Sequence, residues 1–400
     1  MGGAYNPYEK FGLKRVINAA TCLTLLGGSM PHPDVFKAME DASKAFVSIP
    51  ALQHWAGKRI AEAFGAESGL PTAGAVNALI LAVASCIMKG TELEVHDPLG
   101  PRVWDHIVQR LPAQTEGLKT EVIVQGVNRN VYDHAVECAG ARIIEAGSKE
   151  RTTRGDLSEA FDEERTAGYY YTVTASKGKL PIKDVAEVAH GHGVPLIVDA
   201  APSLTHKAIP GGILDAGADL VVFSGGKQMG GPNNSGILIG RSDLVKLAHL
   251  QSYPFDGIGR ASKMSRETIV GLIKALELFM ERDDEVYYRN LEEKTRALSA
   301  QLDGVPGITS GVLQEPTAVG GLIGPSYAYI ELDDAGISLK GLHTALLDGD
   351  PSIQTLHEPY FITPEAKDRI TLKAEYLLEG DDEIILNRIA DIIKNPSTRE

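Results

Sequence analysis

The chain has 400 residues, 43% of them hydrophobic, and a formal net charge of -14. That length and apolar content suit two hydrophobic cores better than one, and the acidity argues against nucleic-acid phosphates as a partner. Three scattered cysteines, Cys22, Cys86 and Cys138, with no CxxC pair, argue against a disulfide framework and a thiolate zinc site, so no metal is expected.

Met1–Lys14 is polar and Gly-rich with no apolar signal segment, and the apolar stretch Ala75–Met88 is too short to span a bilayer. A cytoplasmic protein away from the membrane is expected. After an irregular arm, helical periodicity runs over about Asp34–Phe46 and Leu52–Phe64. Short apolar runs follow at Val122–Val124, Ile143–Glu145, Tyr169–Thr174, Leu196–Asp199, Leu220–Ser224 and Ile237–Ile239. Helical patterns at Gly74–Met88, Val131–Gly140 and Pro181–Gly191 alternate with them. This alternation predicts a mainly parallel sheet covered on both faces. One long connecting helix is expected over about Ser265–Leu302. Beyond it a strand at Tyr327–Leu332, a helix at Leu339–Leu347, two short strands and a helix at Asp382–Ile393 read as a smaller α+β domain. Gln314–Ser326 reads as a loop. The expected division is an N-terminal arm and helix (1–50), a large domain (51–260), and the connecting helix with a small C-terminal domain (261–400).

The chemistry concentrates in Leu220-Val-Val-Phe-Ser-Gly-Gly-Lys-Gln-Met-Gly-Gly, where Lys227 follows a buried strand. Burial and nearby cations favour the neutral amine that forms an imine. The glycines let backbone approach a flat ring, and Ser224 is placed to donate to a phosphate. One unit earlier, Pro195-Leu-Ile-Val-Asp-Ala-Ala puts Asp199 at the carboxyl edge of the sheet, where open α/β sheets bind ligands. A carboxylate there suits the pyridine nitrogen of pyridoxal 5'-phosphate (PLP), whose ring becomes an electron sink when that nitrogen is protonated. In Leu70-Pro-Thr-Ala-Gly-Ala-Val-Asn a strand passes into a helix, leaving the amides of Gly74 and Ala75 free for an anion. Thr72 is either a cap or a phosphate ligand.

The segments Arg15-Val-Ile-Asn-Ala-Ala, Leu26-Gly-Gly-Ser, Leu52-Gln-His-Trp-Ala-Gly, Val198-Asp-Ala-Ala, Phe223-Ser-Gly-Gly-Lys-Gln and Ser235-Gly-Ile-Leu-Ile-Gly-Arg together resemble the SelA-like branch of fold-type I PLP enzymes. The resemblance covers most of the chain and implies the aspartate aminotransferase-like fold. It also implies a homodimer or larger homo-oligomer with active sites shared between subunits. By it Lys227 forms the Schiff base, Asp199 pairs with the pyridine nitrogen, and Gly74, Ala75 and Ser224 lie near the phosphate. Thr21 and Ala73 depart from the family's usual Gly and Ser. Asn128 stands in the segment where many relatives carry a ring-contacting histidine.

The expected reaction is α,β-elimination from a hydroxylated amino acid, as in an ammonia lyase or dehydratase. Racemisation and transamination share its first steps, and selenium transfer on seryl-tRNA is the alternative within the family. The expected partner is a small-molecule amino acid. His54 reads either as an active-site residue or as an interface histidine. Arg129, Arg260 and Arg369 read as anchors for a substrate carboxylate or phosphate, or as structural ion pairs. His190 and His192 read as a solvated helix end.

Overall fold

A computed structural model describes residues 6–95, 108–333, 336–360 and 366–395. The chain forms two compact units, one of residues 29–282 with 318–320, the other of residues 1–28, 283–317 and 321–400. These divisions differ from the expected cuts after residues 50 and 260. The helices Pro33–Ser43 and Arg266–Glu281 pack together within the large unit, so tertiary contact assigns both of them to it.

The large unit is built on a seven-stranded sheet. Its strands lie in the order Ser68–Thr72, Gly236–Gly240, Leu220–Ser224, Leu196–Asp199, Thr166–Thr172, Glu121–Gln125 and Arg142–Ala146. Neighbours are parallel except around Gly236–Gly240, which is antiparallel to both of its partners. The middle strands are buried along their whole length, which is why they read as continuous apolar runs. The helix Ala75–Met88 is apolar nearly all round, and its side chains fill the core against the sheet. The helices Ile209–Asp215 and Ser242–Gln251 escaped the periodicity reading. Two glycines in the first interrupt its pattern.

The single long helix expected over 265–302 is two helices, Arg266–Glu281 and Asp284–Asp303. The break falls at Arg282, whose backbone is extended, and at Asp283, whose carboxylate accepts from the Val286 N–H at 3.0 Å. Asp283 lies inside a charged run, where apolar periodicity carries no signal of a cap.

The small unit holds a four-stranded antiparallel sheet, in the order Leu356–Glu358, Arg369–Leu372, Ser326–Leu332 and Ile308–Gln314. Its core gathers Leu298, Ile330, Leu342, Ile370 and Ile385 with Ile17 from the N-terminal arm. That arm is tied in by parallel pairing of Val16–Asn18 with Ser352–Gln354 and by Arg15 on the buried Asp381 carboxylate at 2.6 Å. The connection 315–325 closes between two antiparallel strands, with the Glu315 N–H on the Pro325 carbonyl at 2.9 Å. No described helix is long and apolar enough to cross a membrane.

Candidate active site

Asp199 and Lys227 come from the carboxyl ends of adjacent parallel strands. Asp199 ends one, and Lys227 follows Ser224 at the end of the next. The Asp199 side chain is buried. One of its oxygens accepts from the Ala201 N–H at 3.0 Å, and the other accepts from the Tyr170 hydroxyl at 3.3 Å. Burial holds the carboxyl above its ordinary range, while the Ala201 amide, the Lys227 charge and the Tyr170 hydroxyl pull it back. A carboxylate has about four lone-pair sites, so two donors leave it able to receive a third. Lys227 is half-buried, and among the described residues no hydrogen bond or ion pair engages its amine. Gly225 and Gly226 pack on their own loop. A Cβ on Gly226 would meet the Asn233 backbone at 2.5 Å, and one on Gly225 would meet the Ser235 hydroxyl at 2.3 Å. These two glycines fold the lysine loop back on itself, a different service from approach to a ring.

Ser224 and Thr72 both lie opposite Gly236, one on each side of the antiparallel strand. This register brings Ser224 to the start of the Ala75–Met88 helix. Gly74 is the N-cap, with φ 87°, and no side chain caps the helix. The first-turn amides therefore keep their donors for another partner. Gly236 permits this approach, since a Cβ there would come within 2.5 Å of the Gly74 carbonyl carbon. Sequence reasoning overlooked Gly236; its cue was a glycine opening a short apolar strand. The Thr72 hydroxyl donates to the Gly74 carbonyl at 3.1 Å, so it braces the turn and does not cap the helix.

Asn128 follows the strand Glu121–Gln125 at the same sheet edge and is fully buried. Its amide donates to the Thr172 carbonyl at 2.8 Å and accepts from the Thr174 hydroxyl at 2.7 Å. Thr172 is the register partner of Asp199. Tyr170, Thr172 and Thr174 were not singled out in the sequence, because they read as the filling of a buried strand and its exit.

The arginine candidates separate. Arg129 is held by the buried Asp133 carboxylate at 2.6 Å and by Glu145, which makes it an ion-pair residue. Arg260 is partly exposed, 3.7 Å from Asp256 and over the Tyr253 ring. Arg369 belongs to the small unit, where it pairs with the buried Glu358 at 2.7 Å. His54 is exposed on its helix beside the exposed Trp55. His190 bonds to the Asp219 carboxylate at 2.9 Å and His192 stacks on Phe161, so neither is simply a solvated end.

PLP fits these groups. An uncapped helix start flanked by Ser224 suits its phosphate, an unengaged amine suits its aldehyde, and a buried carboxylate with spare acceptor capacity suits its ring nitrogen. A lysine and a carboxylate so paired on a mainly parallel sheet place the chain among the fold-type I PLP-dependent enzymes, and PLP is its cofactor. The family model "L-seryl-tRNA selenium transferase" (SelA) matches residues 130–301. A 5'-C-glycyluridine monooxygenase-decarboxylase of Streptomyces sp is 30% identical over 93% of this chain and 92% of that one. The chain belongs to the SelA-like family.

It is also similar to D-glucosaminate-6-phosphate ammonia lyase of Salmonella typhimurium (strain 14028s / SGSC 2262), at 29% identity over 98% of each chain. A solved structure of a D-glucosaminate-6-phosphate ammonia lyase superposes with a TM-score of 0.79 at 27% identity, covering 98% of this chain and 99% of the other. A serine palmitoyltransferase solved with PLP shares the fold at a TM-score of 0.58 and 15% identity, over 94% of this chain and 87% of that one.

Proposed function

We propose that this enzyme is an ammonia lyase acting by α,β-elimination on a hydroxylated amino acid. The observation that carries this reading is the Lys227–Asp199 pair at neighbouring strand ends, in a chain 29% identical, end to end, to an ammonia lyase. PLP, when bound, supplies the electron sink that makes the substrate Cα–H acidic. The chain's own groups do the rest. Lys227 holds the cofactor between turnovers and, once displaced by the substrate amine, its Nζ takes the Cα proton. The β-hydroxyl then leaves as water with that proton. Asp199 keeps a proton on the ring nitrogen, and Tyr170 steadies its charge. Readdition of water releases ammonia and leaves a keto acid, so the atoms balance.

The substrate class follows from what must leave: an amino acid with a hydroxyl on Cβ, sugar-derived ones such as D-glucosaminate 6-phosphate included. Arg260 remains the candidate anchor for its anionic groups, whereas Arg369, like Arg129, is paired with a buried carboxylate. The enzyme acts in the cytoplasm on a small molecule, as a homo-oligomer in which His54 reaches a neighbouring subunit's site. Exposed Phe36 and Trp55 on the first two helices, with exposed Phe46 between them, support such an interface.

The test is a panel of hydroxylated amino acids given to PLP-loaded protein. Ammonia and a keto acid, with solvent deuterium in the product, support the lyase. Inversion at Cα without ammonia makes the enzyme an epimerase, and conversion of PLP to its amine form makes it an aminotransferase. Carbon dioxide is measured on the same panel, because the Streptomyces relative is named a decarboxylase. The SelA family match favours a second reading, selenium transfer on seryl-tRNA. Tight tRNA binding that falls steeply with salt would support it; the net charge of -14 argues the other way.

A further inference from the structure

Lys179 lies just beyond the exit of the strand that carries Tyr170 and Thr172. Its Nζ donates to the Thr174 carbonyl at 2.5 Å and the Thr174 hydroxyl at 3.1 Å, and lies 3.5 Å from the Thr172 carbonyl. The ammonium sits 4.9 Å from the centre of the Tyr171 ring. Among the described residues no carboxylate pairs with it. A half-buried ammonium whose acceptors are all uncharged is costly to keep.

Hydrogen-bond direction gives that cost a use. An ammonium only donates, so the Thr174 hydroxyl accepts from Lys179 and keeps its own hydrogen for another oxygen. The Asn128 Oδ1 receives it at 2.7 Å. With that hydrogen committed, the Ser176 hydroxyl, 3.1 Å from Thr174, is left to donate to it. Asn128 in turn must present its NH2 to the Thr172 carbonyl, which only accepts. The Thr172 hydroxyl is held as well, by the Asn130 amide at 3.0 Å. The series ends on Asp199: Thr172 is its register partner, and the Val173 N–H donates to the Asp199 carbonyl at 2.9 Å.

We propose that Lys179 is a positioning residue, orienting Asn128 and the 172–174 backbone beside Asp199 through the Thr174 hydroxyl. Its role in this proposal runs through Thr174 and Asn128. The proposal rests on the reading that this sheet edge holds PLP.

The test compares the unmodified 400-residue chain with Lys179→Met, Lys179→Arg, Thr174→Val, Asn128→Ala and the Lys179→Met/Asn128→Ala double variant. PLP affinity is read from the visible absorption band, and amide hydrogen exchange of segments 121–133 and 166–180 is read without PLP. Lys179→Met and Thr174→Val should each weaken PLP binding about tenfold, the worth of roughly one hydrogen bond, and speed exchange in both segments. Lys179→Arg should restore affinity to within about twofold, since it keeps a cationic donor. The double variant should bind PLP no more weakly than Asn128→Ala alone. Additive losses, failed rescue by arginine, or wild-type exchange in Thr174→Val would overturn the proposal. A protein that takes up no PLP at all would refute the reading of the site, while the exchange comparison would still decide the Lys179–Thr174–Asn128 link. Thr174→Val tests that link even where Lys179→Met fails to fold.

Discussion

The Tyr170 phenol reaches 3.3 Å across from the neighbouring parallel strand to donate to the Asp199 carboxylate, with both side chains fully enclosed. Burial pushes the phenol far above its ordinary range, and the Asp199 charge pushes it further in the same direction. Tyr170 therefore stays a donor at any working pH. Replacing it with Phe removes one of the two donors to a buried carboxylate. Tyr170→Phe should keep the fold and lower kcat about tenfold, what one hydrogen bond to a buried charge is worth. Unchanged kcat on the best substrate would show that Asp199 needs no second donor.

Asp199→Asn should retain PLP but lose turnover on the order of 100-fold or more, because an amide does not hold a proton on the ring nitrogen. The visible band and kcat, measured on the same preparation, check this. Retained turnover would place the essential carboxylate elsewhere.

Lys227 should be the residue carrying the cofactor. Borohydride reduction of PLP-loaded protein, followed by peptide mass spectrometry, should find the label on Lys227. Lys227→Ala should give no reducible adduct at all. A label on Lys179, whose amine burial brings down to about 8, would reassign the site.

Arg129 and Asp133 should behave as a structural pair. Burial raises the Asp133 carboxyl, and the Asn130 amide and Arg129 hold it back down. Arg129→Met strands that carboxylate and should cost about 2 kcal/mol in urea unfolding, below the usual figure for a buried pair because Arg129 is partly exposed. Adding Asp133→Asn should recover part of the loss. A raised KM with unchanged stability would instead make Arg129 a substrate anchor.

Lys179 should also leave a signature in stability against pH. Burial lowers its amine from 10.5 to about 8. Between those values the unfolded chain holds the proton that the folded chain has lost, so stability rises with pH across the window. Below pH ~8 both states are protonated and the full cost of the buried charge is present. The stability of the wild type minus that of Lys179→Met should therefore increase from about pH 8 to about pH 10.5. A flat difference would mean that the ammonium is not desolvated.

The buried strands Leu196–Asp199 and Leu220–Ser224 were legible to the residue, because a strand covered on both faces must be apolar throughout. So were the positions of Asp199 and Lys227, one ending a strand and the other following its neighbour. The helix start at Gly74 was legible from its glycine and the apolar run behind it. The second partner of Arg129 was not, because Glu145 lies on a neighbouring strand and that pairing depends on register. The break at Asp283 was hidden for a local reason: a cap inside a charged run looks like more helix surface. Gly236 and Lys179 needed the tertiary structure outright. Gly236 matters because two segments far apart in sequence bring Thr72 and Ser224 to either side of it. Lys179 matters because a turn folds its amine back onto Thr174. Local composition and periodicity carry burial and the identity of reactive groups, whereas contacts between distant segments are set only when the sheet closes its register.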